Sequence, residues 1–126
     1  MKWILLSIIT IVLVVLFFLK RSTQVSALEA REELKDGALV IDVRSPGEFQ
    51  SGHVSCAINI PLDQLESVVQ QQVQDKNRML LLHCQSGMRS AMAQKKLQAM
   101  GYTKVSNLGS LSRAREIVGG AGATPD

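Results

Sequence analysis

The segment HCQSGMRS, residues 83–90, holds a cysteine, a glycine and an arginine within one short stretch: Cys84, Gly87 and Arg89. The apolar run MLLLHC (79–84) leads into it, and RSAMAQKKLQAM, which reads as a helix beginning at about Arg89 or Ser90, follows. A thiol at the end of a buried strand would then be wrapped by the loop Gln85, Ser86, Gly87 and Met88. Gly87 permits the backbone conformation that a tight turn needs. If the loop curls around the sulfur, its N–H groups and the helix N-terminus form an anion nest. Such a nest lowers a thiol's pKa from its usual value of about 8.5. The thiolate is the nucleophile, and Arg89 adds a fixed planar cation to hold an anionic substrate. The competing reading is a packed cysteine beside an exposed arginine. It leaves unexplained why strand, glycine, arginine and helix start fall in register.

The elements that must position this loop are legible in outline. Ser26 followed by Glu29 opens a helix, ALEAREELKD, ending at Gly37. ALVIDV (38–43), AINI (57–60), MLLLHC (79–84) and KVSNL (104–108) read as short strands. Pro46 and Gly47 break the chain after the first strand, and Pro61 stops the second. Apolar residues at 62, 65, 68, 69 and 73 predict a helix to about Gln74. A last short helix, LSRAREIV, precedes GGAGATPD (119–126), which is expected to be disordered. Strands alternating with helices predict an α/β domain with a small, mainly parallel sheet flanked by helices. Such sheets carry their sites where strands end and helices begin, and Cys84 lies at that kind of junction.

Composition adds two constraints. The chain has 126 residues and a formal charge of +3. Setting aside Lys2, Lys20 and Arg21 leaves 11 basic against 11 acidic residues, so nothing in the charge favours nucleic acid. Those three flank the apolar run WILLSIITIVLVVLFFL, residues 3–19. The run predicts a transmembrane helix in residues 1–21, with membrane contact through residues 3–19. VSA at 25–27 resembles a cleavage site, but Lys20-Arg21 favours a retained single-pass inner-membrane anchor. Residues 22–27 then form a linker. The flanking charges lean towards a cytoplasmic domain. Two cysteines, Cys56 and Cys84, make no disulfide framework.

Four blocks in order resemble the rhodanese (sulfurtransferase) family. VIDVRSPGEFQSGHV matches its Asp-Val-Arg, Glu-Phe/Tyr and Gly-His-Ile/Val block; AINIPL, CQSGMRS and GYTKVSNL match the three that follow. Within the family, single-domain rhodaneses of the phage-shock protein E type are the most similar, and they are typically periplasmic, opposite to the charge argument. The resemblance implies a rhodanese domain over residues 28–118 and a thiosulfate sulfurtransferase. Cys84 would take sulfur from thiosulfate as a persulfide and pass it to cyanide or a thiol, without a cofactor. Residues 85–89 would hold the donor, with Arg89 orienting it. Asp42 would hold structure and Arg44 would sit near the pocket. The alternatives are a persulfide carrier or sulfane-sulfur sensor without turnover, and a phosphatase or arsenate reductase. The last two use Cys-x5-Arg, one residue longer than the Cys-x4-Arg spacing here. The shorter loop suits a single sulfur.

Several departures bear on specificity. Cys56 stands where the family has Gly. NLGSLSRAR replaces the family's Gly-Gly and Trp ending, so one pocket wall differs. Met88 makes the loop rim apolar. His53, Cys56, His83 and Cys84 could be drawn as a zinc set, but neighbours on a strand point to opposite faces, and His83 and Cys84 would not share a metal. The two histidines and Phe49 are read as structural, and Lys95-Lys96 as a solvated helix face. No protein partner is specified.

Overall fold

The computed structural model describes residues 1–20 and 24–120. Helix α1 spans Lys2–Lys20 and α2 Ala27–Lys35. Strand β1 (Leu39–Asp42) is followed by α3 (Pro46–Gln50), β2 (Ile58–Asn59), a 3-10 turn (Leu62–Gln64) and α4 (Leu65–Gln72). Then come β3 (Leu80–His83), α5 (Met88–Ala99), β4 (Val105–Gly109) and α6 (Leu111–Gly120).

The four strands form one parallel sheet in the order β2-β1-β3-β4. Side chains alternate across it. Ile41, Leu80, Leu82 and Cys84 join Leu65, Val69, Ala93 and Leu97 on one face, which α4 and α5 cover. Val40, Leu81 and Leu108 join Ala30, Ala114 and Ile117 on the other, which α2 and α6 cover. The expected parallel α/β architecture is therefore present.

Three local features differ from the sequence reading. Pro46-Gly47 does not merely break the chain: it starts α3. Ser45 caps that helix, accepting from Glu48 N while the Glu48 carboxylate accepts from Ser45 N. Proline suits a first helical turn, where its missing N–H costs nothing. The segment around residue 24 is tied down, because Val25 N donates to Asn107 O (2.9 Å) and Gln24 bridges to Asn107 beside β4. Helix α6 runs on through Gly119 and Gly120; the rest of the expected tail, 121–126, lies outside the described residues, as do 21–23 of the expected linker.

The membrane reading is corrected. Residues 3–19 are helical and their described apolar side chains are exposed. Even so, among the described residues no helix is long and apolar enough to cross a membrane. Lys2 and Lys20 bound the apolar run. Its length at 1.5 Å per residue is about 26 Å, short of a hydrocarbon core of about 30 Å. The transmembrane helix, the single-pass inner-membrane location and the membrane contact through residues 3–19 are not supported.

Candidate active site

Cys84 follows the last residue of β3, fully buried, with its N–H donating to Gly109 O at 3.1 Å. From there the chain turns at once into α5, whose N-cap is Gly87 at φ +102°. That is left-handed backbone, open to glycine at little cost. Space is also tight: a Cβ here would lie 3.1 Å from Gln24 Nε2 and 3.3 Å from Gly109 Cα. The turn brings Gly87 N–H onto Cys84 Sγ at 2.9 Å, and Ser90 Oγ to 3.5 Å from the same sulfur. The single Ser90 hydroxyl proton serves either Sγ or Gly87 O, 3.1 Å away.

Two opposing effects set the thiol's acidity. Burial pushes the Cys84 thiol up. Hydrogen bonds from the Ser90 side chain and from the N–H groups of Ser90, Gly87 and Ser86 outweigh it, so the pKa lies below the ordinary thiol value. The backbone donors belong to the loop and first turn of α5, where N–H groups have no helical partner. The site thus cradles the sulfur at a helix N-terminus, a setting that favours its thiolate form.

Arg89 is not free to face the sulfur. Its Nη1 and Nη2 donate to Glu48 Oε1 (2.7 Å) and Oε2 (2.9 Å), a bidentate pair. The guanidinium holds the Glu48 carboxyl down at about 2, and Glu48 in turn raises Arg89. Ser45, the cap of α3, donates to the same carboxylate through N–H (3.3 Å) and Oγ (3.1 Å).

Asp42 and Arg44 form a second, buried pair behind the loop. Arg44 Nη2 donates to Asp42 Oδ2 at 2.7 Å and Nε to Oδ1 at 3.0 Å. Nη2 also reaches Gly52 O (2.7 Å), and Nη1 reaches Gln85 Oε1 (3.2 Å). Arg44 therefore braces the loop, with its charge already spent on Asp42. His83 is buried beside Asp42, its Nε2 3.7 Å from Oδ2 and its Nδ1 3.2 Å from Cys84 O. Burial lowers its pKa, overriding the Asp42 charge.

Ser86 and Met88 complete the loop. Ser86 bridges to Ser110, and Leu111 N donates to Gln85 O (3.3 Å), so the segment after β4 forms one wall. Met88 points outward, 75% exposed. Cys56 is exposed and Cys84 buried, and neither is in a disulfide. His53 Nδ1 donates to Phe49 O (2.8 Å), and its ring stacks on the Phe49 ring. Among the described residues no group of three or more His, Cys, Asp or Glu is arranged to hold a metal.

Sequence reasoning passed over three residues that shape the site. Ser90 was legible as the third residue of the helix after Gly87, where a side chain folds back on the first turn. Glu48 and Asn107 carried no such signal. Asn107 Nδ2 donates to Gly87 O (3.3 Å) and its Oδ1 accepts from Gly109 N (2.9 Å), pinning the loop from β4.

A parallel sheet with a cysteine sulfur cradled between one strand and the next helix defines a cysteine-loop α/β domain. Residues 26–113 match the rhodanese-like domain model, and the chain belongs to that family. It is 44% identical over 71 residues to thiosulfate sulfurtransferase PspE of Escherichia coli K12, covering 56% of this chain and 68% of that protein. It is 41% identical to uncharacterized protein YqhL of Bacillus subtilis, over 61% of this chain and 62% of that one. Among solved structures, an E. coli rhodanese with anions is 40% identical with a TM-score of 0.59, over 61% of this chain and 91% of that one. The human single-domain sulfurtransferase TSTD1 is 30% identical with a TM-score of 0.64, over 75% and 96%.

Proposed function

We propose that this thiosulfate sulfurtransferase carries the transferred sulfur as a persulfide on Cys84, within a catalytic unit of residues 28–118. The observation that carries the reading is the set of donors around Sγ, with Gly87 N–H at 2.9 Å and Ser90 Oγ at 3.5 Å. The Cys84 thiolate attacks the outer sulfur of thiosulfate. The donor's S–S bond breaks, sulfite leaves with the electron pair, and Cys84–S–S⁻ remains. The N–H groups that stabilise the thiolate then stabilise the terminal sulfur, which is also an anion. Cyanide or a thiolate attacks that outer sulfur, and Cys84 departs as thiolate. No cofactor is required by this cycle. The loop residues Gln85 to Arg89 shape the cradle, while Asp42 and Arg44 support it from behind.

The test is the intact mass of the full chain after incubation with thiosulfate, alongside Cys84→Ser. A gain of one sulfur, removed by cyanide and absent in the variant, is the expected result. Sulfur gained but not released to cyanide or thiols would make the chain a persulfide carrier or sensor. No gain in folded, reduced protein would overturn the persulfide cycle with this donor.

A further inference from the structure

Beside Cys84 the last strand of the sheet is irregular. Leu82 pairs with Asn107 and His83 with Gly109, so β4 carries one extra residue, Leu108, at that point. Gly109 has φ +95°, left-handed backbone, and its carbonyl oxygen accepts from Cys84 N–H (3.1 Å). Gly87 has φ +102° and donates its N–H to Cys84 Sγ (2.9 Å). The two glycines face each other: a Cβ at 87 would lie 3.3 Å from Gly109 Cα. Both are buried, and together they leave a notch without side chains next to the sulfur loop.

Gln24 fills that notch. A Cβ at 109 would lie 2.6 Å from Gln24 Nε2, 2.9 Å from Cδ and 3.3 Å from Oε1, and one at 87 would lie 3.1 Å from Nε2. The amide occupies the space that two missing side chains leave. The backbone that carries it is fixed separately. Gln24 pairs with Asn107 in a parallel bridge, Val25 N donates to Asn107 O (2.9 Å), and Arg113 Nη2 donates to Val25 O. Asn107 is also the residue whose side chain grips Gly87 O and Gly109 N. Gln24 itself lies two positions before the stretch matched to the family, 26–113.

We propose that Gln24 is a positioning residue of the Cys84 loop: its side chain, seated between Gly87 and Gly109, fills the notch and keeps the Gly87 N–H aimed at Sγ. Glycine backbone is the least restrained of all. With the notch empty, Gly87 gains room to turn its N–H off the sulfur. A thiolate at Cys84 then loses one donor, and so does the terminal sulfur of a persulfide. The consequence for sulfur transfer rests on the Cys84 persulfide reading above; the consequence for the thiolate does not.

The experiment follows alkylation of Cys84 by iodoacetamide against pH in the full chain, read on the peptide that contains Cys84. Gln24→Ala empties the notch, Gln24→Asn shortens the side chain so that it withdraws, and Gln24→Met refills the space with an unbranched side chain of similar length. The alanine and asparagine variants are expected to raise the midpoint by about half a pH unit, or about threefold slower alkylation at a fixed pH below it, as part of one hydrogen bond is lost. Gln24→Met is expected to return the midpoint to the wild-type position. Melting curves accompany each variant. A lower Tm with an unmoved midpoint in Gln24→Ala would overturn the proposal and leave Gln24 a purely structural residue. A midpoint in Gln24→Met as high as in Gln24→Ala would overturn it too. If the alanine variant does not fold, Gln24→Asn decides by the same midpoint. Thiosulfate is added to the wild type in parallel. If it places no sulfur on Cys84 while the midpoints move as expected, the persulfide cycle fails and the positioning role of Gln24 stands.

Discussion

Arg44 and Gln85 are 41 positions apart in the chain and meet through a hydrogen bond of 3.2 Å, Nη1 to Oε1. The parallel register of β1 on β3, with Asp42 opposite His83, creates the meeting. Each residue lies two positions beyond that pair, where the two strands release their chains into loops. The side chain that neutralises Asp42 therefore also holds the first residue after Cys84.

Removing one partner of this buried pair leaves the other charged and uncompensated. Asp42→Ala is expected to cost about 3 kcal/mol or more of stability, in the range for broken buried pairs. Both side chains are nearly inaccessible to water, so solvent does not soften the loss. Urea denaturation gives the number; a cost below about 1 kcal/mol would mean that Arg44 finds water or another partner.

Ser90→Ala removes one of the groups that lower the Cys84 pKa, while burial, which raises it, stays. The thiol pKa of the variant is expected to rise. At any pH below it, the thiolate fraction falls and alkylation slows. The midpoint of the iodoacetamide rate against pH, followed by intact mass, should move upward from its wild-type position, itself below the ordinary thiol value of about 8.5. An unmoved midpoint would assign the acidity to the backbone N–H groups alone.

Gly87→Ala and Gly47→Ala form a contrasting pair. Gly87 has φ +102° and tight neighbours, while Gly47 has no positive φ and nothing within 4 Å of an added Cβ. Alanine at 87 is expected to cost about 1–2 kcal/mol in left-handed backbone and to slow alkylation of Cys84, because its N–H is displaced from the sulfur. Alanine at 47 should be neutral or stabilising by up to about 1 kcal/mol. Thermal melts of both variants check this, and similar losses at the two sites would contradict it.

His83 sets an acid limit. Burial keeps its folded-state pKa below the ordinary 6.5. The unfolded chain therefore binds a proton that the native state refuses. The stability contributed by this group is complete above about pH 6.5 and is lost as pH falls through the depressed folded value. The urea midpoint should decline below that pH in the wild type and decline less in His83→Gln. Parallel profiles would place the acid sensitivity on other groups.

Much of this molecule was legible in local pattern. Short apolar runs with β-branched residues gave the strands, because a parallel sheet covered on both faces needs such runs. Ser26 marked the start of α2, and its hydroxyl accepts from Glu29 N (3.2 Å). Cys84, Gly87 and Arg89 marked the loop because one tight turn joins them, so their spacing is their geometry. Helix α3 was missed, since five residues beginning Pro-Gly carry no period to detect, although Ser45 and Glu48 repeat the Ser-x-x-Glu signature seen at Ser26. The N-terminal run announced a helix correctly; its seventeen residues, Ser7 and Thr10 among them, fell short as a span.

What remained hidden was every relationship that depends on register across the sheet. That a thiol ends a buried strand, and that a glycine turn and a helix start follow, can be read along the chain, because each is a local matter of spacing and backbone freedom. What surrounds that thiol depends on the assembled sheet. It sets Glu48 against Arg89 across 41 positions and Asn107 against Gly87 across 20. Charges so far apart in the chain meet only when parallel strands bring the segments after them to the same end of the sheet. Whether an arginine in the loop is free or already neutralised is settled there.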